Sequence, residues 1–424
     1  MDNTSYLVVN RGVKLFPLGV FLSVFVVWLL LYLFLGVHHK PAAGDEIDYI
    51  NRGIEFFENG WSAFSDGWRP PLLPLLIAFL NLFVDAGSLL NLARITNIAF
   101  VSIVPALWFY EYMVSGKRRS FLLMAMFTSA WPAYYLLAFT VYAEAASFLF
   151  LNILIILTLR MKSSDKFLAL YFIGFPLCLA VLFLFKANNV LISVPFGLYV
   201  LFFGAGGFVK RFLRVSVLAL ITVVMISPWL VFLKSEMGEW VATTTGGYNL
   251  LVGTGYHSFG MAPDNDAIHR EYLLNAYGGE YPGISSEEVA LINSQPSKYL
   301  MDKVSKDIAF RIWSEDTRRM LNLSFRKVMH SYGMSFRGMG DFVVFSLLLV
   351  SIAASVMLLY KNKFINIVFL HWSMALVGCV VSFFWLPNIR FKIFYFDTTA
   401  LYLIACLLSV MISGFKSSKP ELKN

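Results

Sequence analysis

Charge is what this sequence has least of. Asp, Glu, Lys and Arg make up 14% of its 424 residues, against 58% hydrophobic and 17% aromatic. A soluble globular domain carries roughly 25% charged and 45–50% apolar residues, so a soluble fold is excluded. Cysteine is scarce too. Cys178, Cys379 and Cys406 all fall inside apolar runs, which excludes a disulfide framework and makes them small buried hydrophobes. The motifs of soluble catalysis are missing: there is no Gly-x-x-x-x-Gly-Lys, no His-Glu-x-x-His and no paired Cys-x-x-Cys. "GTGYHSFG" at 253–260 has the wrong glycine spacing for a dinucleotide loop. Nothing in the chain proposes a zinc site, and neither an internal repeat nor a low-complexity tract is present.

What the sequence has instead is long apolar runs, many of them long enough to cross a bilayer core. They predict an all-α polytopic membrane protein. A transmembrane barrel would show short alternating strands. Ten spans are expected, at about 16–37, 89–113, 121–137, 141–160, 167–185, 189–206, 212–233, 342–360, 364–386 and 394–413. The first is read as a retained helix, because no small-residue cleavage site follows it. The net charge of +8 comes from short basic clusters between the runs: "SGKRRS" at 115–120, "RMKSSDK" at 160–166, "VKRFLR" at 209–214, "KNK" at 361–363 and the C-terminal tail. Ten spans put all of them on one face. By the positive-inside rule that face is cytoplasmic, with both termini inside, so the charge needs no nucleic-acid partner.

This topology divides the chain into a transmembrane module at 1–233, an external segment at 234–341 that resembles a folded cap, and C-terminal helices with a basic tail at 342–424. The first external loop, 38–88, is the other long exposed segment. It contains "LLPLLIAFLNLFV", too short to span and suited to a helix lying at the interface.

That loop opens with "GDEIDYINRG", 44–53, four of whose ten residues are charged. On a helix Asp45 and Asp48 share a face with Arg52 one turn on, while Glu46 points about 100° away. The simpler reading is a helix start, where acids are favoured; the functional one is a reactive carboxylate at a membrane surface. Arg69, in "WRPPLLPLL", has a fork-shaped head suited to phosphate, although its prolines also serve as a plain helix breaker. Glu144, near the external start of the fourth span, either marks a ligand path or is a hydrogen-bonded surface carboxyl. Lys186, Arg390 and Lys392 stand at the mouths of short external turns. They either anchor at headgroups or bind a lipid phosphate.

These features, in this order, resemble the GT-C superfamily of membrane glycosyltransferases, in the branch of protein O-mannosyltransferases and the lipid A aminoarabinose transferase. The acidic motif after the first span is matched by Asp45, Glu46 and Tyr49, its proline stretch by "RPPLLPLLIAF" at 69–79, and the following arginine by Arg94. "SPWLVFLKSEMGEWVATTTGGYNLLVG" at 227–253 and "NIRFKIFYFD" at 388–397 match later motifs, the second without the family's proline. The resemblance implies transfer of a sugar from a polyprenyl-phosphate carrier to a glycan, lipid or protein acceptor, outside the cytoplasm of a bacterial inner membrane and without a cofactor or metal. Asp45 would be the base, supported by Glu46 and Asp48. Arg69, Lys186, Arg390 and Lys392 would hold the donor phosphate, and Tyr49 and Glu144 would line the pocket. The alternative is a transporter or flippase of a lipid-linked or small polar substrate, which predicts internal pseudo-symmetry and helices interrupted near the midplane.

Overall fold

The computed structural model describes residues 15–116, 118–161, 168–254, 286–332, 334, 339–384 and 393–417. Among these residues there is no strand, as the apolar runs require. Seven helices are long and apolar enough to cross a membrane: Leu15–Phe34 (α1), Ala86–Val114 (α4), Ala143–Met161 (α7), Phe208–Met237 (α10), Phe342–Tyr360, Ile365–Phe384 (α16) and Phe394–Ser413. The fifth is the apolar part of Met339–Tyr360 (α15). The seventh joins a π-helical turn at Ile393–Asp397 to Thr398–Ser417 (α17).

The remaining expected spans are shorter. Residues 121–137 do not form one helix. They divide into Arg119–Ala130 (α5) and Pro132–Ala138 (α6), with Trp131 extended between them at ψ 105. Proline disfavours the α region for the residue before it, so Pro132 makes the break. Leu168–Phe185 (α8), of 18 residues, is joined through a 3₁₀ turn at Ala187–Ile192 to Ser193–Phe203 (α9), which at 11 residues falls below the length of a full span.

Burial orders the bundle. α7 is the most enclosed of the seven, with 72% of its apolar window buried, whereas α1 and α10 have 6% and 17% and present their sides outward. α7 is tied to α4 by Trp108 Nε1 donating to the Asn152 side chain at 2.9 Å. Trp108 also stacks on Tyr402 of α17. α1 is held in its C-terminal half by Trp28, which stacks on Tyr135 and donates to the Ser129 carbonyl, so an indole packs beside the α5–α6 break.

Between α1 and α4 lie two short helices. Asp45–Asn59 (α2) buries Glu46, Tyr49, Arg52 and Gly53, a helical stripe, and Leu72–Leu80 (α3) is the expected short apolar helix. Four more helices, Gly246–Gly253 (α11), Ser286–Asn293 (α12), Lys298–Glu315 (α13) and Thr317–Ser331 (α14), gather around a separate cluster containing Leu251, Ile308, Ile312, Met320 and Leu323. α11 is held at both ends by charge of the sign its dipole prefers. At its start the Tyr248 N–H donates to Asp302 Oδ1 at 2.8 Å; at its end Lys327 Nζ donates to the Gly253 carbonyl at 2.8 Å.

α2 and α3 cross where α2 offers a glycine. A Cβ on Gly53 would run into the side chain of Ile77 and come within 3.1 Å of the Pro74 carbonyl. Gly53→Ala should therefore destabilise the protein by about 1–3 kcal/mol through overpacking. The check is the thermal unfolding midpoint in detergent, with Gly87→Ala, whose Cβ meets nothing closer than 3.4 Å, as the near-neutral control.

Candidate functional site

The site is assembled on the first turn of α2. Its N-cap is Gly44, which makes no side-chain cap, and Asp45, Glu46 and Asp48 fill the positive end of the helix dipole. The three acids then part company, as a 100° step dictates.

Glu46 turns inward and is 2% exposed. Its Oε1 accepts from Arg94 Nε at 3.0 Å and from the Val141 N–H at 2.7 Å; its Oε2 accepts from Arg94 Nη2 at 2.8 Å and from the Ala43 N–H at 3.2 Å. Arg94 also donates to the carbonyls of Val37, Lys40 and Pro41. Glu46 thus binds the loop after α1, α4 and the approach to α7 together, and Asp45 and Asp48 are the acids left on the open face, each with 30% of its side chain exposed.

On that face the charges alternate. Asp66 holds Arg52 through two bonds of 2.8 and 2.6 Å; Arg52 Nε donates to Asp48 Oδ1 at 3.0 Å. The other oxygen of Asp48 accepts from Arg69 Nε at 2.5 Å, and Arg69 Nη2 donates to Asp45 Oδ1 at 2.7 Å. Burial works against the charge on Arg52 and Arg69, but the acids beside them outweigh it, and both guanidiniums stand above the usual arginine value. The Arg69 guanidinium lies 4.9 Å from the Tyr49 ring centre. Tyr49 belongs to one apolar cluster with Val141, Ala143 and Phe185, which draws on the ends of α7 and α8. There Lys186 Nζ pairs with Glu144 Oε1 at 2.5 Å. The Tyr395 hydroxyl donates to the Asn188 carbonyl at 3.3 Å, so the π-helical turn stands against the same corner.

Asp45, Asp48, Tyr49 and Arg69 are therefore in direct contact or adjacent, and Glu144 and Lys186 form a pair of their own. Arg390 and Lys392 lie outside the described residues. Two participants escaped the sequence reading as site residues, Arg52 and Asp66. Arg52 was visible as the i+4 partner of Asp48, whereas Asp66 sits in a turn with no periodicity to place it. That turn is held from the far side: the Thr244 N–H and the Thr243 hydroxyl donate to the Gly67 carbonyl, and the Thr244 hydroxyl to that of Asp66.

The ladder carries three carboxylates, Asp45, Asp48 and Asp66, against two guanidiniums, Arg52 and Arg69, and so one excess negative charge. Glu46 with Arg94 and Glu144 with Lys186 are balanced pairs. Among the described residues no group of three or more His, Cys, Asp or Glu is arranged to hold a metal ion. Compared with protein-family models, curated proteins and solved structures, the chain matches none.

Two expectations follow. Removing one member of a buried ion pair strands the other, so Arg94→Met should lower stability by about 3–5 kcal/mol, while Asp48→Asn on the open face should cost well under that; denaturation midpoints in detergent decide it. Lys327, 1% exposed, has its ammonium pushed down to about 7 by burial. The unfolded chain then binds more protons than the folded one between about pH 7 and about pH 10.4. Stability should rise with pH across that window and be lowest below it. Lys327→Met should flatten the slope in a pH series of thermal midpoints.

Proposed function

We propose that the chain is a membrane-embedded glycosyltransferase that moves a sugar from a polyprenyl-phosphate carrier to an acceptor hydroxyl, with Asp45 as general base. The observation that carries this reading is the open face of α2. Two half-exposed carboxylates and a guanidinium stand together at the end of an apolar helix bundle, where a lipid chain and a polar acceptor can meet. The ten-span reading belongs with this proposal, as do cytoplasmic termini and a bacterial inner membrane, with the α2 face toward the periplasm.

The chemistry asks little else of the site. Asp45 takes the proton from the acceptor hydroxyl. The oxygen attacks C1 of the sugar with inversion, and the C1–O bond breaks with its electron pair going to the lipid phosphate. Cations facing the departing oxygen stabilise its charge. Arg69 lies on the open face of α2 beside Asp45 and would take this part, and Lys186, Arg390 and Lys392 follow from the chain's resemblance to the GT-C enzymes. Tyr49 and Glu144 wall the pocket. Glu46 serves by holding α2 in place.

A flippase is the second reading, and one observation favours it. At the α5–α6 break the Trp131 indole donates to buried Asp397 at 3.0 Å, and interrupted helices with buried acids suit transport. Incubating the purified protein with radiolabelled polyprenyl-phosphate sugars and a panel of acceptors separates the two. Asp45→Asn should lower transfer by about 10²–10⁴-fold with donor binding retained. Wild-type turnover in that variant would remove Asp45 as the base, and substrate movement without sugar transfer would replace the enzyme with a flippase.

A further inference from the structure

α14 is bound to the last turns of a membrane-crossing helix. Its Ser324 hydroxyl donates to the Phe383 carbonyl at 2.8 Å, and its Ser331 hydroxyl to that of Ser382 at 2.9 Å. Just past its end the Tyr332 hydroxyl donates to the Ala375 carbonyl at 2.9 Å. Gly378 permits this approach, since a Cβ there would come within 3.1 Å of the Tyr332 hydroxyl. All three acceptors belong to the C-terminal half of α16, a candidate span. Trp313, near the end of α13, lies beside Phe383 and Phe384 with ring centres 5.9 and 5.8 Å away. A tryptophan at the end of a span is characteristic of the membrane–water boundary.

An exposed apolar stripe runs down α16 and continues onto α14. On α16 it is Trp372, Leu376, Val380 and Phe384, every fourth residue and all exposed; on a span such a stripe faces acyl chains. Where α16 stops, the Phe383 ring meets that of Phe325 on α14, 6.1 Å between centres. Phe325 is 64% exposed, and Leu321 and Met329, four residues to either side, are exposed as well. At 100° per residue these three cover an arc of about 80°, and Arg326 stands about 60° beyond it. Arg318, three residues before Leu321, is exposed like Arg326, and α14 contains no Asp or Glu. The opposite face carries Met320 and Leu323, which pack with α11 and α13, and Lys327, which holds the end of α11.

We propose that α14 is an interfacial anchor for anionic phospholipid. It lies in the headgroup layer of the leaflet that the C-terminal end of α16 reaches, with Leu321, Phe325 and Met329 among the acyl chains and Arg318 and Arg326 on the phosphates. A helix with an apolar edge and a basic edge suits that layer, where its apolar side sinks to the acyl boundary. Guanidinium forks match phosphate oxygens, and their long stems reach the headgroups along the apolar surface. The negative potential of an anionic leaflet favours each cation near it. Lipid is chosen over a protein partner because the stripe is continuous with the lipid-facing side of a span and its charged rim has one sign. One face of α14 thus takes lipid while the other holds the outer helices. The inference needs only that the chain crosses a membrane, and holds whether or not sugar is transferred.

The test places a nitroxide on single introduced cysteines of the full chain in lipid nanodiscs. Relaxation by oxygen, which concentrates among acyl chains, is compared with relaxation by a water-soluble nickel chelate. Leu376→Cys on α16 is the lipid-facing standard, and Asp307→Cys, at an exposed position of α13, the water-facing one. The chain without an introduced cysteine gives the background from Cys178, Cys379 and Cys406. In phosphatidylcholine mixed with phosphatidylglycerol, oxygen should outweigh nickel severalfold at Phe325→Cys and at Met329→Cys, as at Leu376→Cys. In phosphatidylcholine alone that ratio should fall at both α14 positions and hold at Leu376→Cys. Adding Arg318→Gln and Arg326→Gln should remove the response to phosphatidylglycerol. Nickel outweighing oxygen at both α14 positions, as at Asp307→Cys, overturns the anchor. Dipolar broadening between labels at Phe325→Cys would put a second copy on the stripe and overturn it equally. A ratio indifferent to phosphatidylglycerol with both arginines present overturns the anionic headgroup as the partner.

Discussion

A carboxylate and a guanidinium with almost no access to water join four parts of this chain. Glu46 and Arg94 are 48 residues apart, and around them converge the turn after α1, the start of α2, the middle of α4's outer half and the approach to α7. Isolated ions would be costly in such a place. Here every oxygen of the acid and every nitrogen of the base has a partner, and main-chain groups supply several of them. That is the condition under which a buried pair holds its surroundings to one arrangement. The orientation of α2 follows from it, because one residue in its first turn is fixed, and so does the direction in which Asp45 and Asp48 face.

Once α2 is oriented, the remaining charges arrange themselves by attraction along its open side. The result is an alternating row, Asp66, Arg52, Asp48, Arg69 and Asp45, joined by direct contacts. Tyr49, beside Arg69, belongs at the same time to the apolar cluster with Val141, Ala143 and Phe185.

Much of this was legible in the chain before its structure. The 3.6-residue period alone separated Asp45 and Asp48 from Glu46, and the apolar run at α3 was short enough to give a brief helix instead of a span. Other features needed the third dimension. Arg94 could be matched to a family pattern, but nothing in its neighbourhood says that its partner is Glu46. Arg69 reads as a cation for a phosphate until Asp45 and Asp48 are seen on either side of it. The division of 121–137 into two helices had a signal, the proline after Trp131, which hydrophobicity averaged over a window conceals.

The strap formed by Thr243 and Thr244 reaches the turn at Asp66 and Gly67 through the main chain. From Asp66 the connection to Arg52 and Asp48 runs through short, strong contacts with no soft segment between them. α11, which begins two residues after the strap, is itself clamped at both ends by Asp302 and Lys327. The strap before α11 and the charged row are therefore joined by one unbroken run of contacts, from Thr244 through Asp66 and Arg52 to Asp48 and Arg69.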